Sequence, residues 1–356
     1  MPSQPPLPHL LIPYITPPPH SSLTVLSAVL GATGNWLVLR FLCAALNTSS
    51  TSNTGPGLQG VEAERKKKVV LVSFLRGWEF WRLEAKRLGL DLARLTEKRQ
   101  FAFVDGLSEL FSSPTAPTSP PPASSHSPHR TTLPIRSQPG ISPAGSARLR
   151  QPAQPPASVD GSYSQTARES GSVKQLHFSG NGVAAIDALE KDITTVINQL
   201  KESTPDEDGE GSEILLVIDQ PDLLLAATGP SKGIGATEMG EWIMGLQQAA
   251  SSTLLTISAD SPLIHNASAL AHQPATPLEV EHAAFAVGLA HRAEMVIQLR
   301  NLETGAARDV SGVLRVSKGD AWGQRESVSA ENSWEEKEAL YFVQRDGGVS
   351  VFGRGE

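Results

Sequence analysis

Residues 23–46 contain a glycine turn where a phosphate-binding loop would lie, between two apolar runs. Such a loop joins a buried strand to a helix, and it needs a lysine for the phosphate oxygens and a Ser or Thr for magnesium. With Gly34 as the last glycine, Asn35 takes the lysine position and Trp36 takes the hydroxyl position. No Gly-Lys-Ser or Gly-Lys-Thr occurs anywhere in the chain. The sequence therefore predicts a degenerate P-loop position that does not support phosphoryl transfer, although the helix N-terminus could still attract an anion.

Two carboxylates directly follow apolar runs that are typical of buried strands. Asp219 follows residues 214–218, and Asp105 follows residues 101–104. An Asp in this place has the form of a Walker B carboxylate, which acts on the magnesium shell. The same pattern is typical of a carboxylate that caps the next turn, so both interpretations stay open. If the strands are parallel, both residues lie at the sheet edge where ligands bind.

Other chemistries find less support in the sequence. The histidines show no HExxH spacing, and Cys43 is the single cysteine. We therefore expect no catalytic residue, no cofactor and no metal site, and a chain without disulfides that is intracellular. Two basic features, residues 65–68 and Lys232 in the glycine-rich stretch 229–235, are interpreted as solvated, with phosphate contact as the alternative.

The elements that would position these residues alternate between buried strands and amphipathic helices. Strands are predicted at residues 10–15, 25–30, 69–74, 101–104, 214–218 and 253–258, and helices at residues 36–46, 78–88, 182–201, 238–250 and 279–291. Four further strands, at residues 295–300, 313–317, 340–344 and 349–352, follow without intervening helices and predict antiparallel hairpins. The fold class is α/β: a mostly parallel sheet with helices on both faces and an antiparallel C-terminal edge.

Proline marks the segments that do not belong to this core. Of 27 prolines, eight lie in residues 1–19 and twelve in residues 112–160. We predict a proline-rich tail at 1–22, a single domain from 23–111 plus 173–356, and a disordered Pro/Ser-rich insertion at 112–172. The insertion is interpreted as a solvated loop, with an arginine-bearing arm that contacts phosphate as the alternative. The net charge of −7 excludes a generally basic nucleic-acid coat.

Residues 23–46 are also long enough and apolar enough to span a bilayer. However, this segment contains Asn35, Arg40 and a glycine break, and one charge at the bilayer centre costs about 3 kcal/mol. A buried strand, turn and helix is the better interpretation, so we expect no membrane association.

Taken together, these residues resemble the Elongator complex protein 6 family. The resemblance is carried by VVLVSFLRGWEFWRLEAKRLGLDL at 69–92, FAFVDGLSELF at 101–111, ILLVIDQPDLLLA at 214–226 and YFVQRDGGVSVFGRG at 341–355. The apolar opening at 23–46 is also similar. The SFLRGWEFW stretch followed by Asp-Gly-Leu is its specific part, and the other strands are generic to RecA-like folds.

The resemblance implies a RecA-like, P-loop-NTPase-like fold with degenerate Walker motifs and no catalytic residue. Such subunits form a hexameric ring with Elongator proteins 4 and 5, two copies of each. The ring binds tRNA and works with the Elongator catalytic subcomplex in modifying wobble uridines at carbon 5. The expected location is the cytoplasm and the nucleus.

The resemblance also implies which residues meet partners. A RecA-like ring places the loops at 227–239 and 260–281 near its central opening, so Lys232, His265 and His272 are the tRNA-binding candidates. The residue types add a second set: Arg76, Trp78 and Glu79 are candidates for contacts with a neighbouring subunit, because aromatic and Arg residues are typical interface anchors. Core packing is the default role of Trp78 and of Trp81.

Three rival functions stay open at this point. The chain could be a divergent RecA-like ATPase, a recombination mediator that binds single-stranded DNA, or a protein anchored in a membrane through residues 23–46.

Overall fold

The computed structural model describes residues 7–15, 21–47, 67–112, 173–202, 212–264, 274–305, 307–323 and 334–353. The chain divides into one unit made of Met1–Ser112 and Ser170–Glu356 and a second unit, Ser113–Glu169. The second unit, and with it most of the predicted insertion, lies outside the described residues.

Ten strands form a single sheet among the described residues. They are β1 (Ser22–Ala28), β2 (Lys67–Ser73), β3 (Phe101–Asp105), β4 (Val173–Gln175), β5 (Glu213–Asp219), β6 (Ser252–Ser258), β7 (Met295–Arg300), β8 (Gly312–Lys318), β9 (Lys337–Val343) and β10 (Val349–Phe352). Their order across the sheet is β10-β9-β8-β7-β1-β6-β5-β2-β3-β4. The seven strands from β7 to β4 pair in parallel, and β8, β9 and β10 add antiparallel partners.

The helices follow the strands in the alternation that the apolar pattern predicts. They are α1 (Ile12–Ile15), α2 (Asn35–Asn47), α3 (Trp78–Arg87), α4 (Leu92–Glu97), α5 (Val183–Glu202), α6 (Asp222–Thr228), α7 (Ala236–Ala249), α8 (Ser261–Ile264) and α9 (Pro277–Arg292). Within the described ranges, 3₁₀ turns lie at His9–Leu11 and Pro230–Lys232.

The helices cover the sheet in two layers. Residues of α1 to α4 pack with Leu71, Val217 and Leu254 on one face. Residues of α5, α6, α7 and α9 pack with Val70 and Ile218 on the other face. Because the central strands are covered on both sides, they are apolar throughout, and the predicted mixed α/β architecture is confirmed.

Some short elements differ from the sequence-based predictions. Residues 10–15 form a 3₁₀ turn and α1 instead of an edge strand, with Leu11, Tyr14 and Ile15 buried against the α2 side of the core. Pro13 has no backbone N–H to donate to a sheet, and this loss is tolerated in the first turn of a helix. The helices α4, α6 and α8 and the strand β4 are short additions that the sequence pattern did not predict.

Residues 23–46 form β1, a glycine turn and most of α2, as predicted. In the described part of the chain, no helix combines the length and apolarity needed to cross a membrane.

Candidate functional site

A cavity of about 140 Å³ opens at the carboxyl edge of the parallel strands. It lies between the turn after β1 and the ends of β2, β5 and β6, and its lining includes Gly34, Asn35, Arg76, Asp219 and Thr256. The connection after β1 leads to the face that carries α2, whereas those after β5 and β6 lead to the opposite face. Ligands of open α/β sheets bind where the connections diverge in this way. However, the cavity is smaller than the few hundred Å³ typical of a ligand pocket.

The turn after β1 is where the sequence predicts a degenerate P-loop. A side chain at Gly34 would approach Leu26 to 3.0 Å, so this position favours glycine. Asn35 begins α2 and lines the cavity. Trp36 instead turns into the core, where its ring lies 5.1 Å from that of Tyr341. The turn thus presents neither a cation nor a hydroxyl at the two positions that the P-loop motif would require.

Asp219 is the centre of a buried polar cluster. It ends β5, and the sheet register pairs it with Ser73 on β2 and with Thr256 on β6. Both hydroxyls donate hydrogen bonds to its carboxylate, Ser73 Oγ at 2.8 Å and Thr256 Oγ1 at 3.0 Å. Parallel strands that end at one edge therefore place three polar side chains within contact of one another.

The positive charge in this cluster comes from Arg76, in the loop between β2 and α3. Arg76 Nη1 lies 3.2 Å and 3.3 Å from the two carboxylate oxygens of Asp219. Its guanidinium also lies 5.2 Å from the centre of the Phe80 ring and 5.9 Å from that of Trp81. The Arg76 backbone N–H donates to Ser73 Oγ, which fixes the loop to β2. We call Ser73, Arg76, Asp219 and Thr256 the Asp219 cluster.

Burial dominates the electrostatics of the cluster. The Asp219 side chain is 2% exposed, and the resulting loss of hydration raises the pKa of its carboxyl group above the ordinary value. The Arg76 charge and the Ser73 and Thr256 hydroxyls oppose this rise without cancelling it. The carboxylate is thus held by an internal cation and two hydroxyl donors.

Asp105, the second carboxylate at this edge, has a local structural role. Its Oδ1 accepts the backbone N–H groups of Leu107 and Ser108, both at 2.9 Å, and its Oδ2 accepts the Ser108 hydroxyl at 2.7 Å. It therefore caps the turn after β3, which is one of the two roles that the sequence left open.

The other predicted contact residues are engaged within the chain. The Trp78 ring lies 5.5 Å from Phe103 and packs against the core. Glu79 forms an exposed ion pair with Arg82 at 2.6 Å. Arg76, Trp78 and Glu79 thus all have partners within the chain. A role of these three residues in subunit contacts stays a prediction.

Lys232 is exposed at the end of the 3₁₀ turn Pro230–Lys232. Its backbone oxygen accepts the N–H of Gly182, directly before α5, so Lys232 lies beside the start of that helix. His265 and His272 lie outside the described residues. Among the described residues, no group of three or more His, Cys, Asp or Glu side chains is arranged to hold a metal ion.

Sequence reasoning missed the internal partner of Asp219. The available signal was that residues 69–74, 214–218 and 253–258 all predict strands, so their carboxyl ends meet if the strands are adjacent and parallel. It also missed a buried pair of Asp222 and His282, 60 residues apart in the chain.

Comparison with known proteins gives no family assignment, because no family model matches the chain and the search of curated proteins returns no significant match.

Proposed function

We propose that this chain is a non-catalytic, RecA-like subunit of the Elongator complex. In this proposal it assembles with Elongator proteins 4 and 5 into a hexameric ring in the cytoplasm and nucleus. The ring binds tRNA and supports the modification of wobble uridines at carbon 5 by the Elongator catalytic subcomplex. The observation that supports the non-catalytic part is the Asp219 cluster: Arg76 lies within hydrogen-bond distance of both oxygens of Asp219, a carboxylate placed like a Walker B residue.

Two of the segments that carry the sequence resemblance contact each other. Residues 69–92 supply Ser73 and Arg76, and residues 214–226 supply Asp219, which both side chains contact. Phe80 and Trp81 from the same SFLRGWEFW stretch pack beside the Arg76 guanidinium. These two parts of the resemblance thus meet in one cluster at the carboxyl edge, where a RecA-like ATPase would bind nucleotide.

The strand order also supports a RecA-like interpretation. The strand before the glycine turn, β1, and the strand that ends in Asp219, β5, are separated by β6 alone. Their carboxyl ends face the same small cavity, so the P-loop-like turn and the Walker-B-like Asp lie at the same edge of the sheet.

Several apolar side chains at this edge suit a contact with a neighbouring subunit. Leu30 is 84% exposed, Leu107 is 47% exposed and Phe111 is 56% exposed. They follow β1 and β3 in loops of the same sheet edge. Exposed large apolar side chains are suited to protein–protein contacts, so we assign these three to the neighbour in the ring, in addition to Arg76, Trp78 and Glu79.

Co-expression with Elongator proteins 4 and 5 from the same source tests the assembly. Native mass spectrometry is expected to show a hexamer with two copies of each subunit, and the purified hexamer is expected to bind tRNA. Leu30→Asp is expected to weaken assembly, whereas Met244→Asp, at a 41% exposed position on α7, serves as the matched control. A chain that copurifies with neither protein would refute the proposal.

The same preparation distinguishes the rival functions. Nucleotide turnover by the isolated chain that Asp219→Ala abolishes, while circular dichroism shows the variant still folded, would identify a divergent ATPase. A preference of the assembled chain for single-stranded DNA over tRNA would identify a recombination mediator. Either result contradicts the proposed function.

A further inference from the structure

His282, on α9, is buried between two hydrogen-bond acceptors. Its side chain is 2% exposed, and that of Asp222, on α6, is 3% exposed. His282 Nδ1 lies 3.0 Å from the backbone oxygen of Leu263 on α8, and its Nε2 lies 3.3 Å from Asp222 Oδ2. One imidazole thus joins three helices.

The hydrogen-bond partners determine the protonation of this ring. The Leu263 carbonyl can only accept, so Nδ1 must carry a hydrogen. Asp222 Oδ2 also accepts the backbone N–H of Ser258 at 3.2 Å. A neutral imidazole has one N–H group, so with Asp222 as a carboxylate both contacts form only when the ring carries two hydrogens and a positive charge.

The surroundings offer Asp222 as the counter-charge. Its Oδ1 is buried and has no hydrogen-bond partner among the described residues, so the carboxylate is not neutralised from that side. Among the neighbouring elements, α8 (Ser-Pro-Leu-Ile) has no titratable side chain. The residue of β6 that contacts Asp222 is Ser258, which carries no charge. The acidic groups on α9 are engaged elsewhere, Glu279 at the Thr276 cap and Glu281 with the Ala236 N–H of α7.

We propose that the protonated His282–Asp222 pair is a pH-sensitive latch that holds α8 against α6 and α9. When the ring loses a proton, its one remaining N–H can satisfy either Leu263 or Asp222, and the other contact becomes a repulsion between two lone pairs. The native latch binds a proton that the open form releases, so the latch weakens as pH rises. This inference does not depend on the proposed function.

Hydrogen exchange of the full chain tests the latch. We compare peptides covering residues 258–264 and 281–285 at about pH 5.5 and about pH 8.5, on either side of the range where histidines titrate. After correction for intrinsic rates, the latch predicts exchange about tenfold faster at the higher pH, in line with the loss of a charge-assisted hydrogen bond. Imidazole ¹⁵N signals of the same samples report the hydrogens on His282 directly.

Three variants separate the latch from general unfolding. Asp222→Asn removes the counter-charge of the imidazole. The change from slow to fast exchange, which we call the transition, is therefore expected at lower pH than in the parent chain. His282→Gln is expected to abolish the transition. His291→Gln is the control, because His291 lies on the same helix and pairs with Asp320 at 2.6 Å, but both side chains are exposed. It is expected to leave the transition unchanged.

Three results would each overturn the latch. The first is an Nε2 that carries no hydrogen in the folded chain at about pH 5.5, the acidic end of the comparison. The second is exchange that does not change with pH in the parent chain. The third is a transition that persists in His282→Gln.

Discussion

Replacing Arg76 with alanine removes the cation that neutralises Asp219 and leaves that carboxylate buried. The Asp219 side chain is 2% exposed, and that of Arg76 is 17% exposed. Removing one partner of a buried ion pair typically costs 3–5 kcal/mol. The Ser73 and Thr256 hydroxyls remain in Arg76→Ala, so we expect the lower end, about 3 kcal/mol at neutral pH. For a domain of this size, that corresponds to a fall in Tm of roughly 6–12 °C.

The pH dependence of this loss follows from the carboxyl group. Burial raises the pKa of Asp219 in the folded chain, and the Arg76 charge opposes the rise. Without Arg76, the folded-state pKa rises further above the unfolded value, so the native state gains affinity for a proton. The stability associated with that proton is present at low pH and is lost as pH rises through the folded pKa. Arg76→Ala should therefore cost less at acidic pH, where Asp219 is protonated, than at neutral pH.

Urea unfolding followed by circular dichroism, at neutral pH and in mild acid, measures both effects. Arg82→Ala is the matched control: its ion pair with Glu79 is shorter, at 2.6 Å, but exposed, and such pairs are worth less than about 1 kcal/mol. Adding Asp219→Asn to Arg76→Ala removes the buried charge and should restore part of the stability. An Arg76→Ala variant as stable as the parent, or a loss that does not change with pH, would refute this account of the Asp219 cluster.

Three further outcomes follow from single positions. Under the proposed function, Lys232→Glu should weaken tRNA binding by the assembled ring and reduce the dependence of the affinity on salt. Lys86→Glu, on the outer side of α3, is the control and should change neither. Filter binding at several salt concentrations measures both variants. A Cβ at Gly319 would overlap a backbone carbonyl, whereas one at Gly288 in α9 meets open space. Thermal unfolding should therefore show Gly319→Ala destabilised and Gly288→Ala stabilised by up to about 1 kcal/mol. Burial raises the pKa of Cys43 to about 11, so its alkylation at mildly alkaline pH should be much slower in the folded chain than in urea.

The long elements of this fold were predictable because burial leaves a clear pattern in the sequence. Residues 69–74 and 214–218 are continuous apolar runs, and they form the central strands β2 and β5. The amphipathic segment at 182–201 becomes α5 with nearly the same bounds. In a long element, the spacing of apolar residues shows which side chains are buried, and this spacing can be read within the segment itself.

The short elements and the site contacts depend instead on tertiary packing. An apolar run such as residues 10–15 is compatible with a strand or a helix, and its burial against the α2 side of the core is known only from the fold. Likewise, nothing near Asp219 in the sequence identifies Arg76 as its partner. That contact depends on β2 lying beside β5, and the strand order is not encoded in any single segment.

Under the proposed function, the Asp219 cluster gives a physical reason why a nucleotide-hydrolase scaffold could persist without its nucleotide. In P-loop enzymes, the carboxylate at this strand end acts together with magnesium, whose charge compensates it. A chain that no longer holds the metal still has a buried carboxylate, and an unpaired buried charge is strongly destabilising. Arg76 lies within hydrogen-bond distance of both carboxylate oxygens, so the compensating charge is part of the chain itself. On this argument, Asp219 and Arg76 now serve the stability of the sheet edge, and substitution of either one alone should affect folding before any binding function.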